Sequence, residues 1–275
     1  MLKKTLAALL AGAMILSFAA CGGGDSNNGG GKDPGYFSGD ASALFEKTDI
    51  GSNPNKVDET ALTIFKNAVD TSFARETGRL ELQEIATTYC PHGSMQAMTK
   101  EKLDYDISGE ATANYTVSEN VEISNLVHHA GIKCDLVPVK GEASAPELSG
   151  KDAILKTIDE MKGVLLTEGL KGEYIQSVEL RQEAPEKNDA KGPVYITVTF
   201  TPDVEEKLFA SSTKLSADAP KGSVVYSAEV KIDGDGTVKY LSVSQDIQEE
   251  TGAKYDLLDS KYLFKNMAGK ASGEK

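Results

Sequence analysis

The chain has 275 residues and carries 42 Asp and Glu against 29 Lys and Arg, a formal net charge of −13. An acidic excess of that size repels phosphate backbones and anionic head groups, which argues against nucleic acid as a partner and against an electrostatic membrane contact. A hydrophobic content of 40% supports a folded core, and the length suits one domain of roughly 200–250 residues or two small ones.

Met1-Leu2-Lys3-Lys4 is a basic start, Thr5 to Phe18 is an apolar run, and Ala19-Ala20-Cys21 closes it with small residues. This is the layout of a secretory signal peptide over residues 1–20, with an apolar core too short to span a bilayer. A cysteine directly after the small residues resembles the lipobox of bacterial lipoproteins, with Phe18 where that pattern has Leu. The resemblance implies that the Cys21 thiol receives a diacylglyceryl group, that cleavage falls just before it, and that the new N-terminus is acylated. Losing residues 1–20 removes Lys3 and Lys4 and no acid, so 27 basic side chains face 42 acidic ones, a net of −15. Attachment then comes from the acyl chains, and stable anchoring takes two or more of them.

Residues 21–56 read as anchor and tether. The stretch Gly22 to Gly31 is glycine, serine, asparagine and aspartate, a composition that behaves as random coil, and only Tyr36, Phe37, Leu44, Phe45 and Ile50 have much to bury before Asn55. A globular region is expected over 57–268, with a disordered tail over 269–275.

The spacing of Ala61, Leu62, Phe65, Ala68, Val69 and Phe73 predicts a helix over 58–77, capped by Asp58 and closed at Gly78 with Arg75 in its last turn. After Gly78 the period changes, and a strand runs from Arg79 to Tyr89. Pro91 and Gly93 place Cys90 and His92 in a turn. Strands are expected from Leu103 to Val139, with Val117, Val121, Ile123 and Val127 on one face, a turn at His129-Ala130-Gly131 and a return strand over 132–139.

Ser149 with Asp152 three residues on forms a capping-box pattern for a second helix. Ile154, Leu155, Ile158, Met161 and Leu165 make its stripe, and Gly169 and Gly172 end it. Strands follow over 174–183 and 194–200, the latter alternating Val194, Ile196, Val198 and Phe200 with Tyr195, Thr197 and Thr199. Thr201-Pro202 opens a short helix through Phe209. Val224, Tyr226, Ala228, Val230 and Ile232 alternate with polar residues. Asp233-Gly234-Asp235-Gly236 turns the chain, Thr237 to Ile247 returns, and Tyr255 to Phe264 supplies one more strand.

Two halves, 57–140 and 148–268, thus share a plan of a helix followed by a row of antiparallel strands. Strands following strands define an α+β class: a curved antiparallel sheet covered by two main helices. A lipobox, a tether, an N-terminal helix and half-polar strands with helices between them resemble the LolA/LppX-type lipoprotein-carrier folds. That resemblance implies an open half-barrel with helices across its mouth, and it carries over no functional residue.

Candidate chemistry is sparse. Cys90, His92, His128, His129 and Cys134 lie close in sequence, yet their spacing matches no strong zinc motif, and in a strand the two adjacent histidines point to opposite faces. A Cys90–Cys134 disulfide is favoured ahead of two separate thiols and of a metal site. It would stabilise the fold by about 2–4 kcal/mol. Asp233-Gly234-Asp235-Gly236-Thr237 opens like a calcium loop but lacks its sixth-position Gly, and Ser244 stands in place of the closing Glu. No nucleophile elbow, zincin helix, phosphate loop or dinucleotide fingerprint occurs. No cofactor, metal or catalytic residue is therefore expected.

The apolar residues Val117, Val121, Ile123, Val194, Ile196, Val198, Val224, Tyr226 and Val230 either line a cleft for an apolar ligand or pack against the helices and leave no room. The leading functional expectation is a non-enzymatic, lipid-anchored binding protein on the extracytoplasmic face of a cell membrane, with a Gram-positive-type outer surface favoured. The alternatives are a protein-interaction or inhibitor module presenting a concave sheet face and, last, a metal- or redox-active Cys/His protein.

Overall fold

The computed structural model describes residues 57–90, 93–124, 141–143, 147–183, 192–208, 219–233 and 237–269. The N-terminal signal, Cys21 and the tether, along with His92, His128, His129 and Cys134, fall outside them.

Helix α1 spans Glu59–Phe73. The Asp58 side chain accepts from the backbone N–H of Thr60 at 3.0 Å and of Ala61 at 3.1 Å, satisfying two donors that the first turn leaves without partners. Leu62, Ile64, Phe65, Val69 and Phe73 are buried on one face, each contributing roughly 1.5–3 kcal/mol. The helix ends four residues before the expected Gly78, at an Ala74 C-cap. Arg75 lies beyond the last turn, where it is buried and donates to the Gly269 carbonyl at 3.2 Å. Gly78 instead sits within the first strand, where a Cβ would collide with Met267 Sδ, so its size serves strand–strand approach.

Strands β1 (Thr77–Cys90), β2 (Gly93–Asp106) and β3 (Thr112–Ser124) form a meander, with the short β4 (Gly141–Ala143) on its flank. Helix α2 (Lys151–Val164) follows and continues into a π-helical turn, Leu165–Gly169. A second meander holds β5 (Ile175–Gln182), β6 (Val194–Phe200), β7 (Ser223–Ile232), β8 (Val238–Gln248) and β9 (Lys254–Ala268), with the short α3 (Val204–Leu208) between β6 and β7.

The two meanders make one nine-stranded antiparallel sheet, ordered β4-β3-β2-β1-β9-β8-β7-β6-β5. Its edges stay apart, so the sheet is curved and open, and the fold is α+β. The halves read from the sequence are therefore joined through their first and last strands: β9 pairs with β1 from Thr77–Ala268 through Ala86–Leu258.

One sheet face is polar and carries cross-strand ion pairs and ring contacts. Arg79 donates to Asp104 at 2.5 Å and Lys265 to Glu81 at 2.6 Å; Arg181 and Lys261 lie over the Tyr195 and Tyr240 rings at 4.0 and 4.4 Å. The other face carries the core. It packs beneath α1, whose Phe73 meets Tyr262 and Phe264 edge-on at 5.5 and 5.2 Å between ring centres.

Candidate ligand cleft

Strand register turns the alternating pattern into rows of side chains across the inner face. One row runs Val117, Glu101, Leu82, Tyr262, Leu241, Val230, Ile196, Leu180, each residue directly opposite the next. The neighbouring row runs Glu119, Thr99, Glu84, Ser260, Val243, Ala228, Val198, Val178 in the same way. Both rows change character along their length.

Across β5–β7 both rows are buried. Val194, Ile196, Val198 and Val230 are 0% exposed, and Tyr226 is buried beside them. They belong to the same core as Phe65 and Val69 of α1, which lies against β5, β6 and β8. Ordinary packing accounts for these five residues of the candidate cleft.

From Val243 of β8 across to β3 the inner face is half-open, although Leu82, Tyr262 and Ser260 stay buried. Val117, Ala86, Ala97, Leu258 and Val243 are half-buried, as are Glu84, Thr99, Glu101 and Glu119. Val224, at the start of β7, is half-buried as well. Val121 and Ile123 occupy β3 positions opposite Ala97 and Met95. The side chains of Val121, Ile123 and Cys90 lie outside the description, as does the whole of Cys134, and with them the candidate disulfide.

The open half is lined by hydrogen-bond acceptors. Tyr115 donates its hydroxyl to Glu101 at 2.5 Å, and Ser260 donates to Glu84 at 3.4 Å. Burial raises the Tyr115 hydroxyl pKa well above its ordinary value, the Glu101 hydrogen bond adds to this, and the charges of Glu101 and of Glu160 on α2 push the same way. Burial raises Tyr262 too, reinforced by Glu84 and Glu101. Both hydroxyls therefore stay protonated as donors, while the carboxylates beside them accept. Sequence periodicity could not show this acidic belt, because Glu84, Thr99 and Glu119 come together only through two separate strand pairings, β1 with β2 and β2 with β3.

A second buried polar group closes the other end of the inner face. Gln245 Nε2 donates to the Tyr226 hydroxyl at 3.1 Å, and Glu205 of α3 also interacts with that hydroxyl. Among the described residues, no group of three or more His, Cys, Asp and Glu is placed to hold a metal ion. Among them, too, no helix is long and apolar enough to cross a membrane.

The geometry defines a class: an open antiparallel sheet with helices on one face and an inner surface sealed over one half only. No family model and no curated protein matches the chain. Among solved structures it is similar to LprF from Mycobacterium bovis, at 9% identity and a TM-score of 0.30, with 80% of this chain and 98% of that one covered. It is also similar to the Mycobacterium tuberculosis lipoprotein LppX, at 13% identity and a TM-score of 0.30, covering 78% of this chain and 97% of that one. At these TM-scores neither likeness carries weight for function.

Proposed function

We propose that this protein is a lipid-anchored binding protein of the extracytoplasmic membrane face, with no catalytic role, that holds an apolar or amphipathic ligand between the β1–β3 half of its sheet and α2. The observation that carries this reading is the asymmetry of the inner face: one continuous row passes from fully buried Ile196 and Val230 to half-buried Glu101 and Val117. A sheet needed only for a core would be covered along its whole row, since uncovered apolar surface forgoes about 25 cal/mol per Å². Ala86, Ala97 and Leu258 offer the apolar wall, and the acidic belt favours a ligand without a negative head group. The address rests on the lipobox, and Cys21 supplies the anchor. A Gram-positive-type outer surface suits the tether and the acidic domain.

Native mass spectrometry of the purified full chain, before and after organic extraction, tests the ligand reading. A bound lipid-sized mass that extraction removes supports it. A chain that carries none and takes up no added fatty acid or neutral lipid overturns it.

A further inference from the structure

We propose that residues 151–162 form a rigid helical rod hinged at both ends, on Gly150 and Gly163, with the Tyr262 hydroxyl as the latch that holds its C-terminal end to the sheet. The stripe of Ile154, Leu155, Ile158, Met161 and Leu165 predicts one continuous helix to Gly169, and the structure breaks it. Gly163 has φ 77° and ψ 166°, a conformation essentially confined to glycine. Gly150, at the other end of the rod, has φ 83° and ψ 157°, nearly the same.

Neither glycine is there for want of space. A Cβ on Gly150 would meet nothing within 4 Å, and one on Gly163 would only graze the Tyr262 hydroxyl at 3.8 Å. Their role is conformational, and two such points bracket a single run of helix. Gly150 also provides no side-chain cap, and the expected Ser149 cap is not made. The rod thus begins without the side-chain hydrogen bond that fixes the start of α1.

Beside the break, Tyr262 of β9 donates its hydroxyl to the Lys162 carbonyl at 3.3 Å. Lys162 Nζ reaches Asp70 of α1 at 3.3 Å and lies 5.8 Å above the Phe73 ring. Beyond the break the chain is held fast. Leu165, Leu166 and Leu170 are buried, and Thr167 donates its hydroxyl to the Gly163 carbonyl at 2.9 Å. Ile154, Ile158 and Met161 of the rod are buried in that same core, so a swing of the rod draws this stripe off the sheet, and the rod also carries Glu160 toward Tyr115 of β3. Swinging the rod changes access to the half-open side of the sheet. That consequence rests on the ligand reading above; the hinge itself rests on geometry alone.

Hydrogen exchange followed by mass spectrometry on the full chain tests the hinge, using Tyr262→Phe. The substitution removes the hydroxyl and keeps the ring against Phe73. Amides of 151–162 are expected to exchange about tenfold faster, the loss of one net hydrogen bond, while β6 and β7 keep wild-type protection. An unchanged rate over 151–162, or an equal rise across the whole domain, overturns the proposal. Gly163→Ala, which strains the break, is expected to raise exchange over the same residues; an effect spread evenly over the domain counts against the hinge. Uptake of a fluorescent fatty acid is read in parallel. If exchange rises locally and the wild-type chain takes up no probe, the hinge stands and the ligand reading falls.

Discussion

Asp246 and Asp256 stand directly opposite each other across β8 and β9, at the irregularity where the register shifts between Gln245 and Asp246. Asp259 is opposite Ser244 on the same pair of strands. Burial raises the carboxyl pKa of Asp246, and the charges of Asp256 and Asp259 raise it further; Lys254 and a hydrogen bond from Ser244 work against this. Asp259 is raised by burial and then by Asp256, with Lys261 opposing. A carboxyl that binds its proton more tightly folded than unfolded favours the fold most below the unfolded value of about 3.9, and that advantage is lost as pH rises through the folded value. The contribution of Asp246 and Asp259 to thermal stability should therefore grow as the pH falls through their raised folded values toward about 3.9. Asp246→Asn should raise the melting temperature at pH 7 by roughly 1–3 °C, the worth of one like-charge cross-strand pair, and flatten the pH dependence. Melting followed by circular dichroism at a series of pH values checks both.

The two ends of one inner row predict opposite phenotypes. Ile196 is 0% exposed, so Ile196→Ala should cost about 2–5 kcal/mol of stability in urea denaturation. Val117 is half-buried in the open half. Val117→Ala should cost about 1 kcal/mol or less and lower the amount of lipid bound. Lipid content measured per folded protein separates the two effects.

Asp58 caps α1 with its side chain, accepting from the backbone N–H groups of Thr60 and Ala61. Asp58→Ala should destabilise the domain by about 1 kcal/mol, and Asp58→Asn should restore most of it. Denaturant midpoints at constant slope give the comparison.

Ion pairs on the polar face should matter less. Arg79 and Asp104 side chains are 37% and 32% exposed, and such pairs contribute at most about 1 kcal/mol. Asp104→Asn should shift stability by less than that, and by less still in 1 M salt, where the Debye length falls to about 3 Å. Equal losses at both salt concentrations would point to a packing role.

The address has its own test. Cys21→Ser should leave the protein unacylated and move it from the membrane fraction to the soluble one. Retention of the variant in membranes would remove the lipobox reading. Thiol titration before and after reduction decides whether Cys90 and Cys134 are joined.

Much of the fold was legible because burial on one face leaves a period. The β6 run Val194 to Phe200 and the β7 run Val224 to Ile232 alternate as expected, and α1 buries the stripe that its spacing predicts, widened by Ile64. The first ten residues of β2 gave no such sign. Gly93 to Lys102 contains Met, Gln, Lys and Glu, residues without strand preference, and it is a strand because β1 and β3 pair with it on both sides. The Gly163 break was hidden too, since the apolar stripe continues through it and glycine alone does not reveal a dihedral angle.

By itself, the order of residues determined the acidic balance, the α+β class and most strand positions, which depend on composition and on neighbours close along the chain. Tertiary structure alone decided that β9 would join the two meanders at β1, that Glu84, Thr99 and Glu119 would form one belt, and that Ile196 would be sealed while Val117 stays half-open. These features depend on strand register and on where α1 comes to rest, and such contacts join residues too far apart for any local pattern to encode them.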